Sequence, residues 1–141
     1  MQESKKLNIR GNANPSHPAT HAILLVDDNE MVIDVAHDIL EMQGYQVVST
    51  YLPSIALKLV EQKKISVDLL VTDVVMPQMN GPEMYQLMKR MIPDLPVLYM
   101  SGYSDQAIQG VLPDGCVEFI YKPFNDSSLL NSVAKILKNT E

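Results

Sequence analysis

The chain lacks three features that would indicate something other than an ordinary intracellular domain: many cysteines, a long apolar segment and a cluster of basic residues. It contains one cysteine, Cys116, and therefore cannot form an internal disulfide. It has neither a secretory signal pattern nor an apolar run long enough to cross a membrane. Its 11 basic residues are scattered and outnumbered by 17 acidic ones, so no basic patch indicates nucleic acid or an anionic membrane as a partner. These shortages predict a soluble protein of the reducing cytoplasm.

The composition that remains is typical of a single folded domain. The 141 residues are 46% hydrophobic and 20% charged, which is enough to bury one core. Residues 1–20 carry several Gly, Asn and Pro residues and show no regular apolar period, which predicts a linker or a disordered tail. Residues 21–141 are predicted to form the domain.

Within residues 21–141, short apolar runs alternate with segments whose apolar residues recur at helical spacing. The runs predict strands at 23–26, 46–50, 67–72, 97–100 and 117–121. Helices are predicted at 30–42, after Pro53, from Pro82, over one to two turns after Ser104, and after Asn125. Five strand-helix pairs predict an α/β fold, a (βα)5 sandwich around a five-stranded parallel sheet of order 2-1-3-4-5.

Reactive side chains follow four of these predicted strands. Carboxyl ends of parallel strands meet at one edge of the sheet, where such folds bind ligands. The residues concerned are Asp27, Asp28, Asp73, Ser101 and Lys122. Three clustered carboxylates repel one another unless a cation neutralises them, and an oxygen-only ligand set favours a hard ion such as Mg²⁺. A carboxylate beside Mg²⁺, a lysine and a hydroxyl can attack phosphorus, so the pattern predicts an aspartyl phosphate.

The same stretches resemble a known family, the receiver domains of two-component response regulators. The resemblance covers about residues 20–139 and is carried by LLVDDNE at 24–30, by Asp73 with MP at 76–77 and NG at 80–81, by MSG at 100–102, and by KPF at 122–124. It implies the flavodoxin-like (CheY-like) form of the predicted fold. Residues 97–105 are most similar to receivers at the C-terminus of hybrid sensor histidine kinases. A piece of a hybrid kinase and a free-standing regulator both remain open.

The resemblance implies a role for each candidate residue. Asp73 is the implied phosphoacceptor, which takes its phosphoryl group from a phosphohistidine on a sensor histidine kinase or a histidine phosphotransfer protein. The implied Mg²⁺ ligands are Asp27, Asp28, Asp73 and the backbone carbonyl of Val75. Lys122 and Ser101 are implied to assist at the phosphoryl group, and Ser101 and Phe119 to form the conformational switch. The Lys122–Pro123 peptide bond is expected to be cis.

Two other functions stay open beside this one. An aspartyl-phosphate phosphatase uses the same chemistry but typically needs a second acid two residues past the nucleophile, where this chain has Val75. A receiver-like interaction module that is never phosphorylated usually lacks one of the acids or the lysine, and this chain has them all. Self-association as a homodimer is also left open.

Two further expectations concern single positions. His37 is flanked in the first predicted helix by Asp34, Asp38 and Glu41, which predicts an exposed surface histidine rather than a phosphohistidine carrier. Val75 and Tyr103 lie two residues past Asp73 and Ser101, beside the expected route of an attacking water. Neither an apolar nor an aromatic side chain can orient water there, so the aspartyl phosphate is predicted to be long-lived.

Overall fold

The computed structural model describes residues 9–11, 21–102 and 118–139. The predicted short helix after Ser104, the side chain of Tyr103 and Cys116 lie outside these ranges. Within the described ranges, no helix combines the length and the apolar character needed to cross a bilayer.

Six strands and four helices make up the described part of the chain. The strands are β1 (Ile9–Gly11), β2 (Ala22–Val26), β3 (Gln46–Thr50), β4 (Leu69–Asp73), β5 (Val97–Ser101) and β6 (Phe119–Tyr121). The helices are α1 (Glu30–Met42), α2 (Pro53–Glu61), α3 (Gly81–Met91) and α4 (Asp126–Asn139). Each predicted strand and helix that falls in the described ranges is therefore present.

All strands belong to one sheet of order β1-β3-β2-β4-β5-β6. The five strands from β2 to β6 pair in parallel, in the order that the sequence predicts. The sixth strand, β1, pairs antiparallel with the β3 edge and lies in a segment for which the sequence predicts no element. Three residues are too few to show a strand period, so the pairing depends on the neighbouring edge rather than on a local pattern. The linker prediction for the rest of residues 1–20 stays a prediction.

Two apolar clusters cover the two faces of the sheet. Ile23 and Leu25 of β2 point into the cluster with α1 and α4, whereas Leu24 and Val26 point into the cluster with α2 and α3. Every residue of β2, β4 and β5 is buried. Burial on both faces explains why these strands are continuous apolar runs without polar alternation.

Asparagine side chains begin three of the helices next to a strand end. Asn29 accepts hydrogen bonds from the first turn of α1, and Asn80 forms a reciprocal capping box with Glu83 at the start of α3. Asn125 accepts a hydrogen bond of 2.8 Å from the Ser128 N–H at the start of α4. These caps fix where α1, α3 and α4 begin after β2, β4 and β6.

The prediction for His37 is wrong, because the imidazole is buried and 1% exposed. His37 Nδ1 lies 2.8 Å from Oγ of Ser49 on β3, and Nε2 lies 3.3 Å from a carboxylate oxygen of Glu41. His37 lies one turn from the buried residues Ile33 and Leu40, so it belongs to the core-facing stripe of α1. The hydrogen bond to a hydroxyl on the facing strand offsets the free-energy cost of burying the polar imidazole ring.

Candidate functional site

Three carboxylates meet at the carboxyl ends of β2 and β4. One oxygen from each of Asp27, Asp28 and Asp73 lies within 4.8 Å of the other two. The strand register pairs Val26 with Thr72, so the next residue on each strand, Asp27 and Asp73, is brought side by side. Asp27 and Asp73 are buried, whereas Asp28 is exposed at the mouth of the site. The prediction that these acids converge is therefore confirmed by the geometry.

Lys122 extends from the end of β6 into this group of acids. Its Nζ atom lies 2.7 Å from Oδ2 of Asp27 and 3.3 Å from Oδ1 of Asp73. The backbone N–H of Lys122 donates to the carbonyl of Ser101 at 2.7 Å, which ties the lysine to the end of β5. The Lys122–Pro123 peptide bond is cis, as expected. One ammonium is thus shared by the two buried carboxylates.

Backbone amides hold both buried carboxylates in place. The Asn29 N–H donates to Oδ1 of Asp27 at 2.8 Å, and the Val74 N–H donates to Oδ1 of Asp73 at 2.9 Å. The Asp27 N–H donates in turn to the carbonyl of Thr50 on β3, at 3.4 Å. Among the residues that the structure describes, Oδ2 of Asp73 has no hydrogen-bonding partner. This oxygen is the one left for another group.

Burial and mutual repulsion disturb the titration of the site. Burial, and after it the neighbouring Asp27 carboxylate, raise the pKa of Asp73 to about 6 against the opposing effect of Lys122. Burial also raises the pKa of Asp27. For Lys122, burial favours a lower pKa, but the ion pairs with Asp27 and Asp73 outweigh it and leave the pKa raised. The pocket therefore places one lysine, Lys122, against two buried carboxyl groups whose pKa values are both raised.

The other candidate residues lie around this centre. Ser101 is completely buried at the end of β5, beside the Lys122 backbone. Phe119 is half-buried on β6, and its ring meets that of Tyr121 edge to face at a centroid distance of 4.6 Å. Val75 is 39% exposed in the loop between β4 and α3. None of these placements conflicts with the roles that the resemblance implies.

Gly81 supports the site in a way that the sequence analysis does not predict. A Cβ atom at this position would collide with the backbone carbonyl oxygen of Asp73. The Gly81 N–H donates to the Val74 carbonyl at 2.7 Å, which brings the start of α3 onto the end of β4. The sequence signal is the Asn80-Gly81 pair, a turn dipeptide, but it does not reveal which backbone atom the glycine contacts.

The donor set suits a hard divalent cation. All side-chain donors at the centre are carboxylate oxygens, and within the described ranges this is the acidic group that could hold a metal ion. Mg²⁺ and similar ions prefer such oxygens and keep several waters, which agrees with a group that has one exposed member. Burial raises the pKa of both Asp27 and Asp73, which means that their ionised forms are disfavoured, and a bound cation would favour those forms.

A comparison with protein families decides the assignment. The family model described as "Response regulator receiver domain" matches residues 23–134, which is most of the chain. The chain belongs to this receiver family. The resemblance carried by the strand-end motifs is thereby confirmed, and with it the assignment to two-component signalling.

Relatives of the receiver occur in two kinds of protein. The chain is 32% identical over 120 residues to Sensor kinase CckA of Brucella abortus (strain 2308), which covers 84% of this chain and 13% of that protein. It is 30% identical over 125 residues to Response regulator SaeR of Staphylococcus epidermidis (strain RP62A), covering 85% of this chain and 53% of that protein. The chain thus spans at most about half the length of these relatives.

A solved structure agrees with the fold. The crystal structure of the receiver domain from hybrid histidine kinase CckA aligns with a TM-score of 0.70 at 30% identity, covering 82% of this chain and 98% of that one. The predicted likeness to hybrid-kinase receivers and the CheY-like (βα)5 architecture are both confirmed.

Proposed function

We propose that this receiver is the phosphoacceptor of a two-component phosphorelay, and that Asp73 accepts a phosphoryl group from a phosphohistidine on a histidine kinase or phosphotransfer protein. One observation carries the proposal. Lys122 Nζ bridges Asp27 and Asp73 at 2.7 and 3.3 Å inside a pocket that also includes the Asp28 carboxylate. This arrangement supports the proposal, because a nucleophile, a fixed cation and a cation-binding group would then lie within reach of one phosphoryl group.

The geometry of Asp73 supports its use as the nucleophile. Its Oδ1 atom is held by the Val74 N–H and by Lys122, which leaves Oδ2 to react. In the proposed step Oδ2 forms a bond to phosphorus, the bond between phosphorus and the donor imidazole nitrogen breaks, and its electron pair stays on that nitrogen. With a pKa of about 6, Asp73 is mostly ionised at neutral pH and so retains the lone pair that this attack requires.

The remaining residues of the site would neutralise and orient the phosphoryl group. Lys122 stays protonated because its ion pairs raise its pKa, so it can donate to one phosphoryl oxygen. Ser101, at the next strand end, would donate its hydroxyl to another. The proposed Mg²⁺ ligands are Asp27, Asp28, Asp73 and the backbone carbonyl of Val75. When bound, Mg²⁺ supplies further positive charge for the phosphoryl oxygens.

The proposed output is a change of surface at β6. Movement of Ser101 toward the phosphoryl group would open space beside it, into which the Phe119 ring could turn. Phe119 is half-buried and stacks edge to face on Tyr121, which is 49% exposed. A rotation of Phe119 would therefore alter an aromatic pair that reaches the surface.

The setting of the domain is also a proposal. Receivers of the same family occur in a sensor kinase and in a response regulator, so both a hybrid kinase and a separate regulator fit as the whole protein. The chemistry of a phosphohistidine donor and the single cysteine agree with a cytoplasmic location, with no nucleic acid or membrane bound by the receiver itself. The possible homodimer stays a prediction.

Labelling of the purified chain tests the proposal. We expect acetyl phosphate or phosphoramidate with Mg²⁺ to add one phosphoryl group per chain, and Asp73→Asn or EDTA to abolish the label. Asp94→Asn is the matched control because Asp94 is an exposed acid outside the site. Label retained in Asp73→Asn contradicts the assignment of Asp73.

Two other outcomes of this experiment would favour the alternatives. A folded wild-type chain that takes no label from either donor with Mg²⁺ supports an interaction module that is not phosphorylated. Rapid multiple turnover of small phosphate esters supports a phosphatase. The residue two positions past Asp73 argues against that outcome, because the apolar side chain of Val75 cannot serve as an acid or a base.

A further inference from the structure

The loop between β4 and α3 is fixed at both of its ends. At its start, the Val74 N–H donates to the Met100 carbonyl on β5 at 3.2 Å, and the Val74 carbonyl accepts from the Gly81 N–H at 2.7 Å. At its end, Asn80 forms the capping box of α3. Between these points lies Val75, whose backbone carbonyl is a proposed metal ligand. The position of that carbonyl therefore depends on what holds the middle of the loop.

The middle of the loop contains a glutamine in a backbone conformation that favours glycine. Gln78 has a φ of 75°, in the left-handed region, where a Cβ atom crowds the backbone. The chain is also tightly turned at this point, since the Met79 N–H donates to the Pro77 carbonyl at 2.9 Å. Glycine would fit this backbone better, so a glutamine here is best explained by a contact of its side chain.

The Gln78 side chain makes that contact with the start of α2. The Ser54 N–H donates to Oε1 of Gln78 at 3.1 Å, although the two residues are 24 positions apart in the chain. Helix α2 has no side-chain cap of its own, because Leu52 precedes it, and its first residue, Pro53, has no N–H. Amides in the first turn of a helix need a partner outside the helix, and Gln78 supplies one from the site loop.

The start of α2 is also tied to the strand end that holds the other buried acid. The Leu52 N–H donates to Oγ1 of Thr50 at 3.4 Å. The Thr50 carbonyl accepts from the Asp27 N–H, also at 3.4 Å. Through Gln78, the start of α2 therefore links the loop that follows Asp73 to the end of β3, which holds Asp27.

We propose that Gln78 is a positioning residue for the phosphorylation site, whose bond to the Ser54 N–H fixes the middle of the loop and so holds the Val75 carbonyl in place for a divalent cation beside Asp73. The inference rests on the proposed function, because it takes that carbonyl as a metal ligand. Groups that hold a ligand in place change metal affinity when they are removed. Met76 is buried in the apolar cluster with α2 and α3, so loss of one hydrogen bond should shift the loop rather than release it.

Gln78→Met in the full chain tests this role, because methionine keeps the length of the side chain and removes its amide oxygen. In metal-free protein, we expect hydrogen exchange of the Ser54 amide to become about fivefold faster. The dissociation constant for Mg²⁺, measured by NMR titration of the unphosphorylated chain, should rise about three- to tenfold. Gln86→Met is the matched control, because Gln86 is an exposed glutamine on α3 outside the site, and it should change neither quantity.

Two further variants separate positioning from a general effect on stability. Gln78→Glu keeps an oxygen at the same distance from the backbone, and its negative charge suits the start of α2. It should keep the slow exchange of the Ser54 amide and bind Mg²⁺ no more weakly than wild type. Gln78→Gly relieves the left-handed backbone but removes the bond, so it should bind Mg²⁺ as weakly as Gln78→Met.

The other outcomes each contradict a different claim. Unchanged exchange of the Ser54 amide in Gln78→Met overturns the bond and the proposal with it. Faster exchange with a Mg²⁺ dissociation constant within about twofold of wild type overturns the positioning role and leaves the proposed metal ligands in place, as does weak Mg²⁺ binding by Gln78→Glu. A wild-type chain that binds no Mg²⁺ contradicts the proposed function itself, and the positioning role falls with it.

Discussion

The Nζ atom of Lys122 lies 2.7 Å from Oδ2 of Asp27, an ion pair whose carboxylate is fully buried. The same ammonium is 3.3 Å from Asp73, so one positive charge serves two buried acids. Burial raises the pKa of both acids despite this partner. One lysine therefore does not fully compensate the two buried acids. A bound metal ion would add the positive charge that favours their ionised forms.

Replacing Lys122 by methionine should move the pKa of Asp73 upward, because the lysine holds that pKa down against burial. In metal-free protein we expect the Asp73 pKa to rise above about 6, as followed by NMR of the carboxyl carbon against pH. Labelling by acetyl phosphate with Mg²⁺ should fall on the order of a hundredfold, since one charge at the phosphoryl group is lost.

Lys135→Met is the matched control for this prediction. Lys135 also pairs with an acid, Glu118, at 3.3 Å, but its side chain is 65% exposed. The Lys135→Met variant should leave both the pKa of Asp73 and the rate of labelling unchanged. A fall of the Asp73 pKa in Lys122→Met would contradict the role given to the ion pairs.

Asp73→Asn should stabilise the metal-free fold at neutral pH. The pKa of Asp73 is raised from 3.8 to about 6 in the folded chain, so between these values the folded state binds more protons than the unfolded state. Stability therefore falls as pH rises through this window, and the ionised carboxylate costs on the order of 2 kcal/mol above it. Asparagine keeps an acceptor for the Val74 N–H without the charge.

Urea unfolding in EDTA measures this effect. We expect Asp73→Asn to raise the free energy of unfolding by about 1–2 kcal/mol at pH 7 and to converge with wild type below about pH 4. Asp94→Asn replaces an exposed acid, so it should leave the free energy of unfolding close to that of wild type at both pH values. A variant less stable than wild type at pH 7 would show that Asp73 is not under electrostatic strain.

Much of the site could be predicted because its acids and Ser101 lie at or just past the ends of β2, β4 and β5, which are buried on both faces. Such strands stand out as apolar runs, and the first reactive residue after each run marks its carboxyl end. Parallel topology then brings those ends together, although Asp27 and Lys122 are far apart in the chain. The ion pairs and the burial of Asp27 required the structure, because they depend on distances between strands.

The missed features depend on partners that a local pattern does not show. β1 has three residues and exists through pairing with β3, whose residues come much later in the chain. His37 is buried because Ser49 offers a hydroxyl across the interface between helix and sheet, although its neighbours in sequence are acidic. The importance of Gly81 comes from a contact with the carbonyl of Asp73, which depends on the course of the intervening loop.

Gly81→Ala should weaken the fold although it adds a residue that favours helices. The new Cβ would collide with a backbone carbonyl, which cannot turn away as a flexible side chain can. We expect the free energy of unfolding to fall by about 1–3 kcal/mol, as for other overpacked sites. Labelling at Asp73 should also slow, because the displaced carbonyl belongs to that residue.

Gly102→Ala is the control for the added methyl group. Its Cβ would lie 3.9 Å from Cδ of Lys122, an ordinary van der Waals distance. Equilibrium unfolding in urea should therefore show a much smaller loss than in Gly81→Ala. Equal stability of the two variants would mean that the end of β4 yields to the methyl group, and that the contact does not require glycine.

Val75→Asn should shorten the life of the phosphorylated form. Val75 is 39% exposed in the loop that follows Asp73, and its apolar side chain can shield the acyl phosphate but cannot orient a water molecule. An amide at this position can hydrogen-bond to water, so we expect the label to be lost several-fold faster. The measurement is the decay of label from phosphorylated, purified chain after the donor is removed. Leu87→Asn on α3 is the matched control, because Leu87 is also apolar and 37% exposed but lies outside the site. If Val75→Asn decays at the wild-type rate or more slowly, exclusion of water by Val75 is not what sets the lifetime.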